Sequence, residues 1–331
     1  MTTRNPELTR RQYLAAASAS VLAAGLGPLQ AQALPTIRQG YQTNMWGMPT
    51  YYMLKSGALE KRGLKFEEFA VPSGNQTMQQ MVAKQVDLGT YAGPSLILGH
   101  ARGGMVAVAM IEHVGKSLRV MARKELNITK LEQLKGKKIA NQVGASSANI
   151  FNDHIAPTGG LNKGDFQEVR MNVNDMVAAM VAKTVDAMVC VEPYNAIAED
   201  DGIATTVVDF FDFDKLPVFM AATPDFAEKH PELVVTYLKA WLEVARDFKD
   251  NPNKVTEVIH AFYTSKGYTM SPATLKKAMS TVEVNPGFPA DLEPYMQKHA
   301  EVLLKENKIS ALPDWKKVLR TDFMEKARAT G

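Results

Sequence analysis

Thirteen residues in short loops are the candidates for chemistry in this 331-residue sequence. The loops are rich in Gly, Ser and Asn and run at 43–49, 73–75, 91–95, 144–147, 172–174 and 192–194. The candidate ligand-binding residues are Asn44, Trp46, Ser73, Gly74, Asn75, Tyr91, Ala92, Ser95, Ser146, Ser147, Asn174, Glu192 and Tyr194. Glycine lets a backbone approach a ligand, and free N–H groups at helix starts bind carboxylate, sulfonate or phosphate oxygens. These residue types predict a binding site for a small polar or anionic group.

Two of these serines also have a structural interpretation. Ser73 and Ser147 stand at predicted helix starts, where a serine commonly caps the first turn. One hydroxyl can cap a helix and contact a ligand, so both roles stay open. Arg and Lys are absent from all six loops, which argues against direct ion pairs to a small, multiply charged anion.

Aromatic and acidic loop residues extend the prediction. Trp46, Tyr91 and Tyr194 would suit the planar or apolar body of a ligand. For Tyr194, packing beside Pro193 at a helix start is the alternative. Glu192 is the only acidic residue in these loops, and it would bind an amino or ring N–H group of a ligand. A hinge salt bridge or a cap on the helix that begins at Pro193 is the alternative for Glu192.

Signals of catalysis are weak. The six histidines show no spacing typical of metal ligands. Cys190 lies inside the apolar run 187–191, which predicts a buried, unreactive thiol. We therefore expect no metal, no cofactor and no enzymatic activity.

A repeated unit positions the loops. The motif MVAKQVD at 81–87 returns as MVAKTVD at 180–186, an offset of 99 residues. Around each copy, apolar strand-like runs alternate with helical segments in the same order. Ligands of open parallel α/β sheets bind beyond the carboxyl ends of the strands, where loops enter helices. The sequence therefore predicts an α/β protein with two lobes, each a mostly parallel sheet flanked by helices, and a site between them.

The predicted lobe boundaries follow from two strand-like segments near residues 120 and 218. Each would cross between lobes, and together they would form a hinge. Residues 34–119 and about 217–331 then form lobe 1, and residues 120–216 form lobe 2. From Pro224 onward the pattern predicts mainly helices, whose apolar stripes are typical of core packing.

The N-terminal segment predicts export. Arg10 and Arg11 precede an apolar run that ends at Ala31-Gln32-Ala33, which is typical of a signal cleaved after residue 33. The segment resembles a twin-arginine signal, with the general secretory route as the alternative. Its removal takes three arginines and one glutamate from 38 basic and 35 acidic residues, which leaves a net charge of +1. Such a charge predicts no binding of nucleic acid or of an anionic membrane.

Several motifs together resemble a known family. They are GYQ at 40–42, LEKRGL at 59–64, VDLG at 86–89, LEQLKGKKIA at 131–140, GASS at 144–147, and VDA at 185–187 leading to EPY at 192–194. The chain resembles extracytoplasmic solute-binding proteins of ABC importers, in the group that binds sulfonates, taurine, nitrate and pyrimidine precursors. The resemblance covers about residues 36–245. Family members commonly carry Trp before the Glu-Pro step; here it is Val191, which would move that aromatic role to Trp46.

The resemblance implies a two-lobed periplasmic binding fold of type II. Such a protein would close on a small organic solute, a sulfonate, carboxylate or pyrimidine-like heterocycle, and deliver it to the permease and ATPase subunits of an ABC importer. We would then expect a monomer in the periplasm. The same superfamily contains a pyrimidine synthase, so an enzyme of that type is the alternative. That synthase family carries a Cys-rich motif, whereas this chain has only Cys190.

Overall fold

The computed structural model describes residues 36–142 and 144–330. The predicted export signal at 1–33 lies outside the described residues. None of the helices in the described part is long and apolar enough to cross a membrane.

Strands make up the centre of the molecule. Over the described residues they are β1 (Ile37–Gln42), β2 (Phe66–Val71), β3 (Leu88–Ala92), β4 (Val106–His113), β5 (Leu118–Arg123), β6 (Lys138–Asn141), β7 (Gln167–Arg170), β8 (Ala187–Val191), β9 (Ala204–Asp209), β10 (Pro217–Ala222) and β11 (Glu283–Gly287). They form two sheets, with strand order β11-β4-β10-β3-β1-β2 in the first and β7-β6-β8-β5-β9 in the second.

Helices cover both sheets. Over the same residues they are α1 (Met48–Lys55), α2 (Gly74–Val82), α3 (Gly93–Gly103), α4 (Ser146–Ile150), α5 (Val173–Val181), α6 (Tyr194–Asp200), α7 (Pro224–Lys229), α8 (Pro231–Asp250), α9 (Pro252–Ser265), α10 (Pro272–Met279), α11 (Leu292–Lys305), α12 (Trp315–Val318) and α13 (Thr321–Ala329). The first helix ends at Lys55, because Gly57 adopts φ +77° and turns the chain after Ser56.

Each sheet mixes parallel and antiparallel pairs. In the first sheet β1 runs parallel to β2 and β3, whereas β10 runs antiparallel to β3 and β4. In the second sheet β6 runs parallel to β7 and β8, whereas β5 runs antiparallel to β8 and β9. The antiparallel strands β5 and β10 are the ones that enter a sheet directly from the other sheet.

Two chain segments connect the sheets, 114–117 after β4 and 210–216 after β9. They lie side by side, because Val114 N–H donates to the Leu216 carbonyl at 3.1 Å and Gly115 N–H donates to the Lys215 carbonyl at 2.9 Å. Any Cβ at Gly115 would lie 2.3 Å from the backbone oxygen of Asp214, so the pairing needs glycine there. The two crossings therefore form one hydrogen-bonded ribbon between the sheets.

The repeated motif has the same conformation in both copies. In each, a helix ends, a lysine adopts a left-handed backbone conformation, and a central strand begins. The lysines are Lys84 with φ 59° and Lys183 with φ 57°. A left-handed residue is a common way to end a helix, so the motif is a helix-to-strand turn.

The aspartate that ends each motif ties its strand to a neighbouring strand. The Asp87 carboxylate accepts from Arg38 N–H at 3.0 Å, and Asp87 N–H donates to the Arg38 carbonyl at 2.9 Å. The Asp186 carboxylate accepts from Lys138 N–H at 3.0 Å, and Asp186 N–H donates to the Lys138 carbonyl at 2.8 Å. The repeat is thus a structural device of each sheet.

The C-terminal part packs on the first sheet and touches the second. Tyr237 of α8 donates from its hydroxyl to Gln39 Oε1 of β1 at 2.6 Å. Lys277 of α10 forms an ion pair with Glu199 of α6 at 3.0 Å. The region is mainly helical, as expected, and its one described strand, β11, joins the edge of the first sheet beside β4. An edge position tolerates Pro286, which has no N–H to donate.

Candidate functional site

A small cavity lies between the two sheets. Nine of the predicted residues line it, namely Asn44, Trp46, Ser73, Gly74, Asn75, Ala92, Ser95, Ser146 and Ser147. Four residues that were not predicted complete the lining, Gln142, Ala145, Val173 and Val191. The space open to the centres of water molecules is about 20 Å³, enough for one water molecule. The structure is therefore closed around the cavity.

The start of α2 forms one wall. The Ser73 hydroxyl accepts from Gln76 N–H at 3.4 Å, so Ser73 caps the helix and lines the cavity at once. A Cβ on Gly74 would lie 2.7 Å from Cβ of Tyr91 and 2.8 Å from Nε2 of Gln42. Glycine is thus required where the helix start meets β3. The first N–H groups of a helix have no intrahelical acceptor and are free for a ligand.

The start of α3 faces a helix of the second sheet across the cavity. The N-cap residue of α3 is Ala92, whose methyl side chain cannot accept a hydrogen bond from the helix start. Ser95 in its first turn places its hydroxyl 3.3 Å from the hydroxyl of Ser146, at the start of α4. Both serines are buried. The two sides of the cavity therefore meet at a pair of hydroxyl groups. Each hydroxyl can also donate a hydrogen bond to a ligand or accept one from it.

A short turn after β1 holds Trp46 against the crossing ribbon. The Asn44 side chain accepts from Trp46 N–H at 3.0 Å. The indole Nε1 of Trp46 donates to the hydroxyl of Ser117 at 2.6 Å. Trp46 is 6% exposed and lines the cavity, as its loop position predicts. The indole is fixed by its neighbours, so it offers a rigid apolar wall.

Tyr91 does not line the cavity. Side chains alternate along a strand, so Ala92 faces the cavity while Tyr91 points to the opposite face. There Tyr91 is fully buried beside Phe219, its partner on β10. Burial raises the pKa of its phenol well above the ordinary value.

Asn174 and Tyr194 lie together in a separate groove of about 470 Å³ on the outside of α5 and α6. The Tyr194 ring packs 5.7 Å from the ring of Tyr268. The Asn174 amide donates to its neighbour Asp175 at 2.9 Å. The structure therefore places both residues away from the cavity, in the groove beside α5 and α6.

Glu192 is fully buried and also outside the cavity lining. It forms an ion pair with Arg119 at 3.2 Å and accepts from Ala196 N–H at 3.0 Å. The structure thus gives it both the salt bridge and the helix cap that were the alternatives to ligand contact. Burial raises the pKa of Glu192 to about 7, although the charge of Arg119 opposes this shift.

Cys190 is the only cysteine of the sequence and it is buried. Burial raises the pKa of its thiol, which keeps it protonated and unreactive. Its side chain faces away from the cavity that Val191, the next residue on β8, lines.

An outer basin opens from the cavity to solvent. The two share Ser73, Asn75, Gln142 and Ala145, and the basin has a volume of about 660 Å³. Three cationic residues, Arg102, Arg170 and Lys308, line it. Sequence reasoning missed them, because it considered only the loops between strands and helices. The available signal was the place of Arg170, two residues before the predicted loop 172–174.

A family model described as NMT1/THI5 like matches residues 44–255. A protein of Escherichia coli named for binding aliphatic sulfonates is 26% identical over 238 residues, which cover 70% of this chain and 73% of that protein. A protein of Brachyspira hyodysenteriae named as a periplasmic binding protein of an ABC transporter is 25% identical over 258 residues, 72% of each chain.

Solved structures share the fold at low sequence identity. The alkanesulfonate-binding protein SsuA of Xanthomonas axonopodis pv. citri, bound to MOPS, superposes with a TM-score of 0.73 at 19% identity over 88% of this chain and 99% of that one. The desulfurization enzyme DSZB superposes with a TM-score of 0.65 at 16% identity over 89% of this chain and 99% of that one. The predicted type II periplasmic binding fold is thereby confirmed. The chain belongs to the NMT1/THI5-like family of binding proteins.

Proposed function

We propose that the protein captures a small organic solute with a sulfonate or carboxylate head between its two sheets, in the periplasm, and delivers it to the permease of an ABC importer. The observation that carries this proposal is the closed cavity itself. Residues of both sheets enclose it, and Ser95 and Ser146 meet across it at 3.3 Å. A site divided in this way forms only when the two halves come together, which is how a solute-binding protein closes.

The lining suits an anionic head without an ion pair. The cavity is lined by Ser, Asn, Gln and Trp together with small apolar residues. The starts of α2 and α3 contribute free N–H groups and the positive ends of their helix dipoles. A sulfonate or carboxylate oxygen would accept from these N–H groups and from the hydroxyls of Ser95, Ser146 and Ser147. The relatives named for binding sulfonates support this choice of head group.

The same lining speaks against the enzyme alternative. None of the described residues that line the cavity is Asp, Glu, His, Cys, Lys or Arg. A general base must lie within hydrogen-bond reach of the proton that it removes. Within the described part of the chain, the hydroxyl of Ser95 lies against the hydroxyl of another serine and not against a base. A serine without a base is a weak nucleophile, so reversible binding fits this lining better than turnover.

The proposal is tested by thermal unfolding of the mature protein with propane-1-sulfonate, propanoate, uracil and propylamine. We expect a saturable rise of Tm with the sulfonate or the carboxylate. Ser95→Ala should weaken that binding about tenfold, the effect of one lost hydrogen bond to a charged group. The matched control is Ser280→Ala on the exposed end of α10, which should bind like the wild type. Absence of any shift, or chemical conversion of a bound compound, would contradict the proposed function.

A further inference from the structure

The volume of the inner cavity limits what part of a solute it can hold. About 20 Å³ open to water centres is room for about one water molecule, so the cavity must widen to take even one acidic head group and has no room for the body of a solute. The outer basin, of about 660 Å³, continues directly from it past Ser73 and Gln142. In this closed arrangement, a solute whose head occupies the cavity must place the rest of its body in the basin.

The basin is cationic. Arg102, at the end of α3, approaches it from the first sheet, and Arg170, at the end of β7, approaches it from the second. Within the described residues, five other arginines form ion pairs with carboxylates. Neither Arg102 nor Arg170 has a carboxylate partner there. Lys308 also lines the basin, but it is paired with Glu306 at 2.7 Å.

Negative charge is absent from the basin lining. None of its described residues is Asp or Glu, and the remaining polar groups are amides and one hydroxyl. Closure of the cleft therefore brings two unpaired guanidinium groups from opposite lobes into one basin. Repulsion between two like charges opposes closure. An anion bound between them attracts both guanidinium groups and therefore favours closure. A ligand shifts a conformational equilibrium only through its different affinity for the two states.

We propose, on the basis of the proposed function, that the solute is a short dianion, whose first acidic group occupies the inner cavity and whose second acidic group pairs with Arg102 and Arg170. Guanidinium groups bind carboxylates, sulfonates and phosphates through paired N–H donors. The amides of Gln76, Asn149 and Asn172, which also line the basin, supply further donors. The two arginines thus select the charge at the far end of the solute, while the inner cavity selects its head.

The test compares two ligands of similar length by isothermal titration calorimetry: propane-1-sulfonate, a monoanion, and 3-sulfopropanoate, which adds a carboxylate at the other end. We expect the dianion to bind the wild type at least about tenfold more tightly, the effect of one charge-assisted hydrogen bond. Its Kd should also rise more steeply with salt, because the arginines are solvent-exposed.

The variants Arg102→Gln and Arg170→Gln should each reduce the preference for 3-sulfopropanoate, measured as the ratio of the two Kd values, severalfold, because each removes one guanidinium group from the second acidic group. The matched control is Lys163→Gln, an exposed cation outside the lining of the basin, which should keep the full preference. Equal Kd values for the two ligands, or a preference that survives in both arginine variants, would overturn the inference of a dianionic solute and leave the proposed function intact. Failure of the wild type to bind either ligand would overturn the proposed sulfonate head and, with it, this inference.

Discussion

Positions 93 and 192 are equivalent in the two halves of the repeat, since they are separated by the offset of 99 residues. They differ in whether the start of the following helix is capped by a side chain. Gly93 begins α3 without any side-chain cap, and the helix start faces the cavity. Glu192 places its carboxylate on Ala196 N–H at 3.0 Å and on Arg119 at 3.2 Å. The first half thus leaves its helix start without a cap, and the second half caps its own helix with a carboxylate.

The last two strand residues before positions 93 and 192 point in the same directions in the two halves. Ala92 and Val191, also 99 residues apart, both line the cavity, while Tyr91 and Cys190 both point into the core. The strand geometry is therefore common to the two halves, and the chemistry differs only where the strand ends. This comparison predicts that equivalent substitutions have equal effects within the strands and unequal effects after them.

The largest expected effect is on stability, at position 192. Glu192→Ala removes one partner of the partly buried Arg119 and leaves a helix N–H group without its acceptor, which should lower the free energy of unfolding by about 3 kcal/mol. Gly93→Ala should cost about 1 kcal/mol or less, because its new Cβ would meet Sδ of Met296 at 2.9 Å and methionine is adaptable. Urea unfolding of both variants at pH 8 measures the difference. Equal losses would break the comparison.

Glu192 also predicts a pH dependence. Its pKa is raised to about 7 in the folded protein from 4.5, so the folded state binds the proton more tightly than the unfolded state. The stabilisation by protonation is therefore present below about pH 4.5 and is lost as the pH rises to about 7. Because one pKa unit corresponds to about 1.4 kcal/mol, the wild type should lose at most about 3 kcal/mol relative to Glu192→Gln.

Urea unfolding of the wild type and Glu192→Gln at pH 5 and pH 8 tests this expectation. The glutamine can still accept from Ala196 N–H, so the helix cap is retained and only the titration is removed. Parallel pH profiles of the two proteins would show that Glu192 keeps an ordinary pKa.

Filling the cavity should affect binding more than stability. Ala92→Leu places extra atoms into the small space between the sheets and should weaken the binding of propane-1-sulfonate at least about tenfold, the equivalent of about 1.4 kcal/mol. The control is Ala101→Leu, at an exposed position of the same helix–strand unit. Calorimetric titration of both variants distinguishes them. An unchanged Kd in Ala92→Leu would place the solute elsewhere.

The smallest expected effects are losses of stability of equal size at the aspartates that end the two copies of the repeated motif. Asp87→Asn and Asp186→Asn each weaken the hydrogen bonds of a carboxylate to the first residues of a neighbouring strand. We expect each to lower the free energy of unfolding by about 1–2 kcal/mol, as for hydrogen bonds to charged groups. Urea unfolding at pH 7 measures both. A gap of more than about 1 kcal/mol between them would show that the two halves do not use the motif alike.

Much of the fold was accessible from the sequence because it depends on local and periodic signals. The repeat, the alternation of strands with helices and the loops at strand ends are all encoded within short windows. They placed nine residues that the structure gathers around one cavity. The boundaries of the lobes and the use of those residues in binding stay predictions.

The predicted residues that do not line the cavity differ from the others in the direction of single side chains. Tyr91 and Glu192 follow their strands as expected, but the strand phase turns Tyr91 into the core, and Arg119 on β5 draws Glu192 into an ion pair. Arg119, the ion-pair partner of Glu192, lies 73 residues away in the sequence, so no local sequence pattern predicts this ion pair. Arg102 and Arg170 were missed for the same reason, since only the approach of the two lobes brings them to one basin.

Sequence patterns alone indicated two related α/β halves, a binding-protein family and a set of loop residues suited to an anionic head. Periodicity and turn chemistry act over a few residues, so they can be read without coordinates. The folded structure was needed to show that the helix start at Gly93 is uncapped and that the helix after Glu192 is capped by the carboxylate of that residue. Those outcomes depend on contacts between distant segments, where burial and charge pairing choose among the roles that a residue type permits.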